Sequence, residues 1–152
     1  MNTTETRSYN MSRIRGMNTK PEILVRKYLF SQGFRYRKNE ERLPGKPDIV
    51  LPKYKTVIFV NGCFWHHHDC RYFVWPKNNA DFWRHKIESN VERDCRNYQM
   101  LRQMGWKVLV VWECKLKSGC QAETLERLKS LLVSSADSTE GVYPESLISI
   151  EI

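Results

Sequence analysis

The alternation of hydrophobic and polar positions changes period along the chain, and each change marks an element. Thr19 with Glu22 three residues later forms a capping-box pattern, Pro21 suits a first helical turn, and Gly33 ends the run after Gln32. This predicts a helix with Leu24, Tyr28 and Leu29 on its apolar face and Arg26 and Lys27 in solvent. A basic stretch, Arg35 to Lys38, leads into the turn "LPGKPD" at Leu43 to Asp48. Ile49 to Leu51 is a short strand stopped by Pro52, Lys53 to Lys55 a turn, and Thr56 to Val60 ("TVIFV") a fully apolar strand. Asp81 caps a long helix reaching Met104, with Trp83, Ile87, Val91, Tyr98 and Leu101 as its buried stripe and Gly105 as its stop. Trp106 to Trp112 ("WKVLVVW") is a third, deeply buried strand, and Gln121 to Val133 a last helix with Leu125, Leu128 and Leu132 inward.

Helix, strand pair, helix, strand, helix describes a single mixed α/β domain. It occupies residues 20–133, between an arm at 1–19, with one helical turn around Met11 to Ile14, and a polar tail at 134–152. The tail's closing "LISIEI" is either an edge strand or unstructured. No internal repeat and no low-complexity segment interrupts this order.

Composition narrows the classes. Of 152 residues 41% are hydrophobic and 28% charged, as in a folded globular domain and unlike a disordered one. The apolar runs are too short to span a bilayer and no charged-then-apolar leader opens the chain, so a cytoplasmic protein with no membrane partner is expected. Lys and Arg number 25 against 17 Asp and Glu, a net charge of +8 that favours a polyanionic partner, nucleic acid above all.

Candidate chemistry concentrates in residues 61–80, a loop far longer than two neighbouring elements need. Its "NGCFWHHHDC" follows an apolar strand directly, at the carboxyl end where α/β sheets place their sites. Cys63, Cys70 and the histidines His66, His67 and His68 lie within eight residues, and Cys114 ends the other long strand. If those strands are neighbours, thiolates and one imidazole make a closed, structural zinc site; otherwise they are separate buried or surface residues. Spacing does not choose among the three histidines. The odd number of cysteines, five, argues for a reducing compartment rather than a disulfide framework. Asp48 at a strand start suits Mg²⁺-dependent phosphodiester cleavage, and equally suits a turn residue after Pro47. Glu22 is fully explained by its capping box. Phe64 and Trp65 stand in the polar loop with no evident core to enter, as wedges between base pairs do. Trp83 reads as well as core as it does as a DNA contact.

Together "RSYNM", "LPGKPDIV", "VIFVNGCFWHHHDC", "DFWRHKIESNVERD" and "MGWKVLVVWEC", in this order from about residue 7 to residue 117, resemble the very short patch repair (Vsr) endonucleases. The resemblance implies a restriction-endonuclease-like mixed sheet flanked by helices, with a built-in structural zinc. It implies a Mg²⁺-dependent endonuclease that nicks the T-containing strand of double-stranded DNA beside a T:G mismatch left by 5-methylcytosine deamination; a single nick needs only one active site, so a monomer is expected. Carried over residue by residue, Asp48 is the metal-binding aspartate, His66 the essential proton-handling histidine and Glu22 the supporting glutamate. The zinc ligands fall on Cys63, His68, Cys70 and Cys114, and the DNA-intercalating aromatics on Phe64, Trp65 and Trp83. The arm, with Met11, Arg13 and Arg15, resembles the segment that grips DNA from the opposite groove.

The chain departs from the pattern in places. Val60, Asn61 and Gly62 stand where restriction-like enzymes usually carry an acidic residue and a lysine; the family commonly uses a backbone carbonyl there, which Val60 supplies. Some members carry histidine where this chain has Asn61, and His67 and Asp69 receive no role. Two other readings keep the same residues: a restriction-like enzyme cutting paired DNA, and a zinc-stabilised DNA-binding module without catalysis.

Overall fold

The structure, a computed structural model, describes residues 18–136 and 150–151. The arm residues Met11, Arg13 and Arg15 lie outside the described residues. Helix α1 spans Lys20–Ser31, β1 Arg37–Lys38, β2 Ile49–Leu51, β3 Thr56–Asn61, α2 Ala80–Gln103, β4 Lys107–Trp112, α3 Gln121–Ala136 and β5 Ile150–Glu151. Single 3₁₀ turns follow β2 (Pro52–Tyr54) and β4 (Glu113–Leu116).

The five strands lie in the order β1-β2-β3-β4-β5. The first three are antiparallel neighbours, while β3, β4 and β5 run parallel. This is the expected mixed sheet flanked by helices, widened by short strands at both edges. Strand alternation sorts the core into two layers. Ile49, Leu51, Ile58, Leu109 and Val111 pack with Val25 and Leu29 of α1 and Leu125, Leu128 and Leu132 of α3. Val50, Val57, Phe59, Val108, Val110 and Trp112 face the other way, with Leu101 of α2. Helices therefore cover both faces, which explains why β3 and β4 read as continuous apolar runs rather than alternating ones.

Several local expectations are corrected. Arg26 is buried rather than solvated, because α1 turns Val25 and Leu29 fully inward and carries Arg26 with them. Asn79, in left-handed conformation, takes the cap position of α2 in place of Asp81, and its side chain makes no capping hydrogen bond. The deepest residues of α2 are Ile87, Asn90 and Leu101, with Trp83, Val91 and Tyr98 half-buried. The stretch after α1 contains β1, which the sequence pattern does not predict, while Ile150 and Glu151 of the closing segment form β5, the edge-strand alternative.

The "LPGKPD" turn is fixed by Gly45, whose φ is +76° and whose Cβ position lies 3.1 Å from Asn97 Cβ and 3.2 Å from Phe59. A side chain here faces both a strained backbone and a closed gap between α2 and β3. Gly45→Ala is expected to lower stability by about 2 kcal/mol. Urea unfolding measures this directly, and an unchanged midpoint would mean that the turn packs elsewhere.

Candidate active site and metal centre

Parallel pairing of β3 with β4 sets Asn61 opposite Trp112, so the segments following the two strands emerge side by side. Cys63, His68 and Cys70 from the first segment meet Cys114 from the second. One ligand atom from each lies within 4.8 Å of all the others. His68 Nδ1 is 3.3 Å from Cys114 Sγ and 3.7 Å from Cys63 Sγ, and its ring stacks on Trp112 at 4.2 Å and 7°. Three soft thiol donors and one imidazole converging in this way fit a tetrahedral divalent cation such as zinc. Burial pushes the Cys63 thiol up to about 12, so a thiolate at this position needs a cation beside it.

The three consecutive histidines diverge. His68 turns to the thiols. His66 Nδ1 bonds the carboxylate of Asp94 on α2, both groups being mostly buried. His67, at φ +52°, sends its ring outward onto Phe73 and Trp75, at 4.4 and 5.0 Å. The left-handed residue between two inward-turned neighbours is what separates the metal cluster from His66.

Asp48, at the mouth of β2, accepts a 2.7 Å hydrogen bond from the Val60 N–H. Val60 itself lines the cleft beside this aspartate. Burial raises the Asp48 carboxyl to about 7; the Val60 bond opposes this, neighbouring Glu22 adds to it, and the Arg26 charge offsets part. Glu22 is 2% exposed, and its carboxylate accepts the Asn18 N–H at 2.9 Å while its own N–H reaches Thr19 Oγ1. The capping box thus holds a carboxylate close enough to Asp48 to act on it electrostatically. Asn61 is buried, its amide donating to the Tyr98 hydroxyl at 2.8 Å.

One cleft of about 920 Å³ joins these groups, lined by Glu22, Asp48, Val60, Asn61, His66 and Asp94. Phe64 and Trp65 form its rim and pack on Trp83 at 5.5 and 5.8 Å. A carboxylate at a strand mouth, a second on a packed helix and a carboxylate-oriented histidine are the components of a metal-assisted hydrolytic site.

The family description "DNA mismatch endonuclease Vsr" matches residues 1–72. The type II nicking enzyme V.NmeAIP of Neisseria meningitidis is 56% identical over 130 residues, 86% of this chain and 91% of that protein. The chain belongs to the Vsr family. The DNA mismatch endonuclease Vsr of Escherichia coli is 46% identical over 112 residues, 74% of this chain and 72% of that protein. The type II nicking enzyme V.XorIIP of Xanthomonas oryzae is 46% identical over 128 residues, 84% and 93% of the two chains.

Asp94, Lys46 and Glu113 also reach the cleft of this Vsr-family chain, and sequence reasoning passed over them. The signal for Asp94 was available, since an acidic residue on the inward stripe of α2, between Ile87 and Leu101, has no reason to be there unless something inside binds it. Asn90 on the same stripe behaves alike, donating to the Trp65 carbonyl at 3.1 Å. Lys46 and Glu113 had no comparable signal.

The raised carboxyl of Asp48 has a consequence for stability. The folded chain holds this proton more tightly than the unfolded chain, whose aspartate titrates near 4. Its contribution is fully present below about pH 4 and is lost as pH rises through about 7. Without added Mg²⁺, Asp48→Asn is expected to be more stable than the parent by about 1–3 kcal/mol at pH 8 and nearly equal to it at pH 4. Urea titrations at the two pH values check this. A constant difference at both would assign the effect to packing.

Proposed function

We propose that this chain is a DNA mismatch endonuclease. It nicks the T-containing strand beside a T:G mismatch left by 5-methylcytosine deamination, through Mg²⁺-dependent phosphodiester hydrolysis. The observation that carries the reading is the single cleft in which Asp48, Glu22 and the His66–Asp94 pair stand beneath an aromatic rim. Relatives at 46–56% identity bearing the names mismatch endonuclease and nicking enzyme support it.

Water attacks the scissile phosphorus and gives its proton to His66. With Nδ1 engaged by Asp94, Nε2 is the nitrogen that takes it, and the carboxylate steadies the imidazolium that results. The new P–O bond forms as the bond to the departing sugar oxygen breaks, and that oxygen takes a proton from solvent water as it leaves, so one strand is cut. Glu22, buried in the first turn of α1, orders water within the cleft. Asp48 and the Val60 carbonyl would hold Mg²⁺, which when bound neutralises charge on the phosphate. Cys63, His68, Cys70 and Cys114 would hold Zn²⁺, which pins the loop bearing His66, Phe64 and Trp65 and takes no part in the reaction. Phe64, Trp65 and Trp83 enter the duplex at the mismatch, where unstacking is cheapest, and this favours mismatched DNA over paired DNA. The arm with Met11, Arg13 and Arg15 closes on the opposite groove, and one chain supplies the single cut.

The deciding assay incubates a duplex with a central T:G pair, and its C:G counterpart, with Mg²⁺, tiling several methylated-cytosine contexts. A nick confined to the T strand of the mismatched duplex is expected. Equal cutting of both duplexes would instead make the chain a restriction-like enzyme. Asp48→Ala should abolish the nick, and His66→Ala should slow it about 10²–10⁴-fold with DNA still bound. A normally nicking Asp48→Ala protein overturns the assignment. The metal cluster is tested separately: Cys114→Ser should lose bound zinc and melt roughly 5–10 °C lower. Full zinc stoichiometry in that protein excludes Cys114 from the ligand set.

A further inference from the structure

The loop between β3 and α2 carries more aromatic surface than the wedge uses. Phe64 stacks on Phe73 at 6.0 Å and 26°, Phe73 meets Trp75 at 4.9 Å, and His67 touches both Phe73 and Trp75. The guanidinium of Arg84, in the first turns of α2, lies over the Trp75 ring at 4.8 Å. This second cluster is continuous with the wedge and is not core. His67 and Arg84 are exposed, Trp75 is half-buried, and Val74 and Phe82 beside them are 70% and 61% exposed. The ion pairs among the described residues are Arg42–Glu40, His66–Asp94 and Arg93–Asp94, so neither Asp69 nor Asp81 neutralises Arg84. Lys77, His85 and Lys86 are exposed in the same stretch.

A guanidinium stacked on an indole is held in place with its N–H donors turned outward, and is weakly hydrated, which suits it to phosphate. The surface is therefore complementary to a polyanion with stacked faces. We propose that Trp75, with Arg84 held over its face, is a second DNA contact, which grips the phosphodiester backbone on the flank of the duplex beyond the wedge. The contact rests on the mismatch-endonuclease reading and extends its footprint. It gives His67 a function, since its outward ring props Trp75 in the position that Arg84 covers.

The test measures binding of full-length protein, without added Mg²⁺, to a T:G duplex with long flanks and to one trimmed close to the mismatch, across a salt series. Arg84→Gln should weaken binding to the long duplex several-fold and reduce the slope of log K against log salt by about 0.9, one phosphate contact. Trp75→Ala, which removes the face that holds the guanidinium, should weaken it several-fold as well, and Trp75→Phe should restore most of that loss. On the trimmed duplex both deficits should vanish. Wild-type affinity and slope for Arg84→Gln on the long duplex overturn the proposal, and this variant decides alone should Trp75→Ala melt below the parent. An equal deficit on both duplexes also overturns it, placing the residues at the wedge instead. Parent protein that neither prefers nor nicks the mismatched duplex refutes the mismatch reading itself, and the second contact falls with it.

Discussion

Everything at the site depends on the parallel pairing of β3 with β4. A parallel pair brings two carboxyl ends to the same edge, and the register that places Asn61 beside Trp112 lets Cys114 complete a cluster begun by Cys63. Neither strand's following segment assembles the four ligand atoms alone. The crossover that parallel strands require is α2, so the helix packed over β3 and β4 is also the element that faces the loop from the side. A shift of one residue in that register would turn each strand's side chains to the opposite layer and part the thiols at once.

The helix α2 meets this demand by placing polar groups where a core helix ordinarily carries apolar ones. Asn90 bonds the Trp65 carbonyl, Asp94 bonds His66, and Tyr98 receives the Asn61 amide. Each of these three groups has its partner in the β3 strand or its loop, so its desolvation is offset only when loop and helix are assembled together. Four carboxylates, from Glu22, Asp48, Asp94 and Glu113, line one cleft, and burial, with repulsion from Glu22 added, lifts Asp48 to about 7. That arrangement lowers stability at neutral pH, as clustered buried carboxylates do.

What the sequence disclosed follows from what periodicity can carry. β2, β3, β4 and α3 were legible because unbroken apolar runs and a 3.6-residue stripe arise only from burial on defined faces. The metal cluster was legible as a set of residue types, yet the choice of His68 over its neighbours depends on the left-handed turn at His67, which no spacing announces. β1 and β5 are two residues each, too short for any period to register. Arg26 reads as solvated because its charge suggests it; its burial beside Asp48 and Glu22 is decided by tertiary packing. Glu22 is hidden for the opposite reason, since its local role at the helix start accounts for it completely, and only the family resemblance singled it out.

Trp112 joins the two halves of the site. Its ring stacks flat on His68, a member of the metal cluster, and meets His66 edge-on at 6.5 Å. Both imidazoles therefore lie against one buried indole at the end of β4. Because the indole is 7% exposed and belongs to the core layer of β3 and β4, it cannot tilt without disturbing Val110 and Leu101 beneath it. The sheet thus holds the imidazole facing the cleft and the imidazole facing the thiols in a fixed relation, and the loop between them is left free to spend its remaining side chains on the surface.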